Sequence, residues 1–137
     1  MTGLKLTTDT FDDKLIIASG AAAGAIALGA LAAPREWNDM HFETTTLVGE
    51  PSTRWFGLAM ATNAAKTMAI SASDTDRTTK KNVLKAAGAG WLGAAALTAY
   101  HVQEKVQKKD VSIGLALGEA AMGALCMWRG FKDDDDL

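Results

Sequence analysis

Between Leu15 and Ala33 the chain carries nineteen consecutive residues without a charge, LIIASGAAAGAIALGALAA. As a helix this stretch reaches roughly the 30 Å of a bilayer's hydrocarbon core. Ser19 is its one polar residue, so it is apolar on every face, whereas a surface helix of a soluble protein shows a polar stripe. The pattern predicts a transmembrane helix over 14–33; a buried helix of a soluble protein is the competing reading. Asp12, Asp13 and Lys14 precede the apolar run, and Thr8, Asp9, Thr10, Asp12 and Asp13 offer capping side chains. Pro34 marks its end.

Three weaker copies of this design follow, over 54–72, 83–102 and 111–131. The connections between them are 34–53, 73–82 and 103–110, and an acidic tail closes the chain over 132–137. The expected fold class is all-α: one membrane domain over 1–137, an antiparallel bundle of four Ala/Gly-rich transmembrane helices. A soluble bundle would place leucines at heptad core positions, and leucines are few here. The twenty-residue connection 34–53 is long for a tight helical hairpin and is expected to pack on something. The second helix is the least apolar, because Asn63 and Lys66 sit in its second half; a charge at depth costs at least about 2.5–3.5 kcal/mol on insertion scales. Two small-residue pairs four apart, Gly20 with Gly24 and Gly114 with Gly118, predict close helix contacts in lipid.

Composition changes this picture little. Mean hydropathy is only +0.03 because charges collect in short stretches between the Ala/Gly runs. A net charge of −2 lacks the basic footprint of a nucleic-acid partner. The single cysteine, Cys126, implies neither a disulfide framework nor a metal cluster. No cleavable signal or transit peptide is read in the polar start. With four spans, the termini and the 73–82 connection share one side, which carries eight Lys and Arg against five opposite, favouring the cytoplasm-equivalent side for the termini. Trp37, Phe42, Trp55, Phe56 and Tyr100 fall at the far face and Trp128 and Phe131 at the terminus face, as aromatic belts would. Trp91 lies inside a span, where packing against a glycine-rich neighbour is its expected role.

Candidate chemistry is sparse. Asn63, Lys66 and Glu119 form an intramembrane polar set. The first two share a helix face, and all three lie about 12–18 Å deep from the far face. They read as a structural pairing of the second and fourth helices, as a Lys66 that snorkels to the terminus side, or as an ion path. His101 and His41 could each supply the single axial ligand that a chlorophyll magnesium needs, or be plain interfacial histidines. No protein-only metal site and no catalytic arrangement of nucleophile, base or phosphate loop is present.

An apolar first helix ending at Pro34, the opening Arg54-Trp55-Phe56-Gly57-Leu58-Ala59-Met60, and a Gly/Ala-rich helix ending in Tyr100-His101 resemble the DoxX-like group of small four-helix membrane proteins. The resemblance spans about residues 15–130. It implies a four-helix membrane fold and a link to membrane redox complexes, but carries over no catalytic residue. The acidic tail and the Lys66/Glu119 set depart from it.

The expected function is a non-catalytic accessory subunit in the lipid bilayer, packed between the larger subunits of a bioenergetic complex. An algal photosystem in the thylakoid is favoured, with chlorophyll or carotenoid held against the Ala/Gly faces. The alternatives are a subunit of a mitochondrial inner-membrane respiratory complex or ATP synthase, and a small transporter or channel using Asn63, Lys66 and Glu119.

Overall fold

The computed structural model describes residues 8–43, 49–72 and 75–132. Among them the chain forms five helices: α1 (Phe11–Ala32), α2 (Pro34–His41), α3 (Glu50–Ala72), α4 (Arg77–Gln103) and α5 (Lys109–Phe131). The acidic tail beyond Lys132 lies outside the described residues, as does most of the polar entry.

The elements differ from the four expected helices in ways that caps explain. Thr10 and Asp13 form a reciprocal capping box, Asp13 N–H donating to Thr10 Oγ1 at 3.1 Å and Thr10 N–H to Asp13 Oδ2 at 3.3 Å. The helix therefore begins at Phe11, before the apolar run. Pro34 ends α1 but also starts α2: its missing N–H and fixed φ suit the first position of a helix, and Ala33 (φ −137°, ψ 63°) makes the corner. The connection 34–53 thus contains a helix that hydropathy alone did not reveal. Residues 77–82, read as turn, are the first turns of α4, because Asp76 accepts from Thr79 N–H at 2.9 Å and caps the helix six residues early. The polar side chains there do not oppose a helix; they only stop it being apolar. Two helices, α1 and α5, are long and apolar enough to cross a membrane. α3 and α4, at 23 and 27 residues, have the length but not the hydropathy.

The long helices pack as two antiparallel pairs, α1 with α3 and α4 with α5, and the contacts joining the pairs are much sparser. In the α4–α5 pair the buried positions are Lys81, Leu84, Gly88, Trp91 and Thr98 of α4 and Ser112, Glu119, Gly123, Cys126, Arg129 and Gly130 of α5. These recur at three, four and seven residues, the spacing of a knobs-into-holes seam. The seam is tight because of glycine. A Cβ on Gly88 would stand 2.8 Å from the backbone nitrogen of Met127, and one on Gly123 would stand 2.9 Å from that of Leu92. In the other pair a Cβ on Gly20 would stand 3.3 Å from Met68 Cγ, and one on Gly57 would stand 3.1 Å from Ala30 Cβ. Of the glycines expected at helix contacts, only Gly20 makes one; Gly24, Gly114 and Gly118 face open space. Four-residue spacing finds small residues on one face, but not which face turns inward.

Burial is inverted relative to a water-soluble bundle. Asp12, Asp13, Asn38, Thr53, Ser112 and Arg129 are each at most 4% exposed, while Trp55 is 72%, Leu28 69% and Leu117 67% exposed. The apolar core proper is small, with Leu15, Ile16, Leu84 and Cys126 in one cluster and Ala23, Ala64 and Trp91 in another.

Candidate functional site

Because the two pairs meet sparsely, a cleft of about 640 Å³ runs between them. Its floor comes from α1 and α5 and its walls from α3 and α4, from Val83 and Ile70 near one end to His101 and Gln107 at the other. Over the α4 wall, Val83 to His101 is about 27 Å at helical rise. Most of the lining is apolar, including Ile26, Met60, Ala87, Leu97 and Leu115.

The far end is shaped by α2. Asn38 Oδ1 accepts from the Thr53 hydroxyl at 2.6 Å, tying α2 to the start of α3. Trp37 stacks on His41 with ring centroids 4.2 Å apart. An antiparallel bridge, Phe42 to Gln107, joins this corner to the α4–α5 connection, with Lys108 N–H donating to the His41 carbonyl at 2.8 Å and Glu43 N–H to that of Val106 at 2.9 Å. The expectation that 34–53 packs on something is met here. His41 Nδ1 lies 2.7 Å from the Trp37 carbonyl oxygen, so Nδ1 carries the hydrogen and, in the neutral ring, Nε2 is left as a lone-pair acceptor. Gln107 is 7% exposed, lines the cleft, and its Oε1 has no hydrogen-bond partner; the only other such buried side-chain atom among the described residues is Ser112 Oγ.

Midway, the Trp91 indole N–H donates to Ser19 Oγ at 2.8 Å, joining the pairs through the one polar residue of the apolar run. Trp91 is therefore more than a packing residue. The Thr98 hydroxyl donates to Glu119 Oε2 at 3.2 Å, and Glu119 is buried. Asn63 and Lys66 line the same cleft from α3 and are exposed. The structure thus gathers Asn63, Lys66 and Glu119 around one space, with Thr98 and not Lys66 on the carboxylate. Both candidate histidines line its far end, His41 buried and His101 half-buried. Gly20 is in its floor, whereas Gly24, Gly114 and Gly118 are not part of it.

At the terminus end an ion-pair network closes the bundle. Arg129 Nε meets Asp12 Oδ1 at 2.7 Å, Lys81 Nζ lies 3.6 Å from Asp12 Oδ2, and Lys80 Nζ reaches Asp13 Oδ1 at 2.6 Å. Lys81 also donates to the carbonyls of Arg129 and Lys132 at 2.7 and 2.9 Å, the uncovered end of α5. Sequence reasoning missed this network, and Gln107 and Thr98 with it. The signal available was two acidic residues at the start of α1 on the side that carries eight basic ones.

The described residues hold no group of three or more His, Cys, Asp or Glu fit to bind a metal ion. No family model, no curated protein and no solved structure matches the chain, so the DoxX-like resemblance rests on the short matches quoted above.

Proposed function

We propose that this chain is a membrane-embedded, non-catalytic subunit that packs against larger neighbours in a bioenergetic complex and holds an apolar ligand in its cleft. The observation that carries the reading is the inverted burial. Large apolar side chains such as Trp55, Leu28 and Leu117 lie on the outside, while Asp12, Asp13, Lys81, Glu119 and Arg129 are buried with partners inside. The two most apolar helices are largely uncovered, with 39% and 22% of their apolar windows buried, unlike the core helices of a soluble protein. In lipid, the outward residues cost nothing and the inward polar ones must find partners, which nearly all of them do. α3 and α4 then cross the bilayer as partners of α1 and α5, with Asn63, Lys66, Thr67 and Thr98 turned to the cleft. The outward glycines Gly93, Gly114 and Gly118 leave room for a neighbouring helix to approach closely.

An algal photosystem is the favoured host, a mitochondrial complex the alternative. A transport reading draws support from Asn63, Lys66 and Glu119 sharing one cleft. A single experiment separates them: extraction in mild detergent, native gel electrophoresis and an absorption spectrum of the band. Migration with a large green complex is the expected result, and a large colourless one moves the host to the mitochondrion. A small band, with ion flux in proteoliposomes that Lys66→Met abolishes, overturns the accessory reading in favour of transport.

A further inference from the structure

Polar groups from two helices meet the waist of the cleft and are left unspent there. A Cβ on Gly20 would stand 3.3 Å from Met68 Cγ and 3.6 Å from the Ala64 carbonyl oxygen, so Gly20 is level with the turn of α3 that carries Lys66. Its neighbour Ser19 accepts from the Trp91 indole, and Leu92, next to Trp91, is the residue against which Gly123 packs. Lys66, Ser19, Trp91 and Gly123 therefore lie at one level. Asn63 and Glu119 lie nearer the far end on α3 and α5, by about 4.5 and 6 Å at helical rise. By the same rise the level is about 15 Å from His101 and about 12 Å from Val83, the two ends of the α4 wall. The other polar side chains that face it are engaged: Ser19 with Trp91, Thr67 with the Asn63 carbonyl, and Thr98 with Glu119 Oε2. The Lys66 ammonium and the Asn63 amide line the cleft and make no hydrogen bond or ion pair among the described residues. Glu119 is 7% exposed, and its Oε1 is neither bonded nor enclosed in the way of Gln107 Oε1 and Ser112 Oγ, so it opens on the cleft.

An ammonium and a carboxyl thus face one largely apolar space without meeting. A wholly apolar ligand leaves both unmatched, which is costly inside a membrane. A phospholipid or sugar head drawn this far from either mouth gives up its water. A fatty acid pairs with Lys66 but brings a second carboxyl beside Glu119, and two carboxylates sharing a site repel. The group that fits is small and uncharged and carries oxygen on two opposite edges. We infer that the waist holds the ring of a 1,4-quinone or its quinol, with the apolar tail along Ile26, Met60, Leu97 and Leu115. One ring oxygen accepts from Lys66, with Asn63 beside it, and the opposite oxygen bonds Glu119 Oε1. The two oxygens of such a ring stand roughly one helical turn apart, about 5.4 Å, close to the axial offset between Lys66 and Glu119. A protonated Glu119 donates to the quinone carbonyl and an ionised one accepts from the quinol hydroxyl, so one site serves both oxidation states. Trp91, at the same level, gives the ring an aromatic wall. The inference rests on the cleft facing lipid and holding an apolar ligand, as proposed above, but not on any larger complex.

The test uses the full chain, delipidated in dodecyl maltoside. It is incubated separately with a decyl-tailed dimethoxymethyl-1,4-benzoquinone, with decylbenzene and with oleic acid. Ligand that elutes with the protein on gel filtration is extracted and measured against protein-free micelles. The expected result is saturable retention of the quinone above both other probes, with quenching of Trp91 fluorescence in the variant that keeps only that tryptophan. Lys66→Met and Glu119→Leu should each lower quinone retention about tenfold. Glu119→Gln, whose amide still donates to a carbonyl, should keep most of it. Helical circular dichroism of each variant establishes that it is folded, and Lys66 is exposed, so Lys66→Met tests the site even where Glu119→Leu does not fold. Undiminished retention in folded Lys66→Met, the behaviour of a lysine that snorkels to the terminus side, overturns the inference. So does a bound quinone that leaves Trp91 unquenched, or oleic acid retained as well as the quinone. Decylbenzene retained as well as the quinone overturns it too, while leaving an apolar ligand in the cleft. Retention of none of the three overturns both readings of the cleft. Quinone retained by a chain that migrates alone on a native gel overturns the accessory-subunit reading and leaves this one standing.

Discussion

Arg129 shows what a single residue does in this bundle. It is 4% exposed, bonds Asp12 at 2.7 Å, and lies over the Phe11 and Trp128 rings at 5.4 and 5.7 Å. Removing one member of a buried pair strands the other, at a cost of about 3–5 kcal/mol, whereas removing both together costs less. Arg129→Met should therefore lower the thermal midpoint in detergent far more than the exposed control Arg35→Met, and Asp12→Asn should restore part of the loss. Equal effects of Arg129→Met and Arg35→Met would show that the network contributes nothing. From the sequence, Asp12 and Asp13 read as capping and flanking residues and Arg129 as one of eight same-side charges. Asp13 does take part in the cap; that its neighbour meets Arg129, 117 positions away, follows only from how α1 is placed against α5.

At the scale of the helix, glycine content was legible and glycine function was not. Gly88 and Gly123 abut backbone atoms of the facing helix, which cannot swing aside as a side-chain tip can. Gly88→Ala or Gly123→Ala must separate α4 from α5, with the cost of overpacking, about 1–3 kcal/mol. Gly114→Ala and Gly118→Ala meet open space and should leave the isolated protein unchanged or more stable by up to about 1 kcal/mol through helix propensity. Detergent unfolding of the four variants reads this directly, and a ranking that puts Gly114 and Gly118 above Gly88 and Gly123 would contradict the packing described. The predictive pattern was present in α4 as the recurrence at three, four and seven residues of Lys81, Leu84, Gly88, Trp91 and Thr98. It is masked because its members are a cation, a leucine, a glycine, an aromatic and a hydroxyl, so no hydropathy scale groups them.

For the whole molecule, the distribution of tryptophan checks the membrane placement. Trp55 and Trp128 are 72% and 53% exposed at opposite ends of the bundle, and Trp91 is 9% exposed and turned to the cleft. In bilayers carrying brominated acyl chains, single-tryptophan variants retaining Trp55 or Trp128 should be quenched most by bromines near the head groups, and the variant retaining Trp91 should be quenched weakly at every shallow depth. Strong quenching of neither Trp55 nor Trp128 would remove the bundle from the bilayer. The cleft belongs to this scale too, since it exists because two well-packed pairs meet each other sparsely.

The sequence by itself determined that the chain is helical, where its apolar runs lie, and that its aromatics cluster toward helix ends. These are local properties, set by side-chain hydropathy and by caps such as Thr10 and Asp76 within a few residues. Tertiary structure alone decided that His41 and Gln107 stand together, that Glu119 meets Thr98 and not Lys66, and that Asp12 holds Arg129. Each depends on which face of one helix turns toward another. That choice is made by the close approach of Gly88 to α5 and of Gly20 to α3, summed over contacts between residues far apart in the chain.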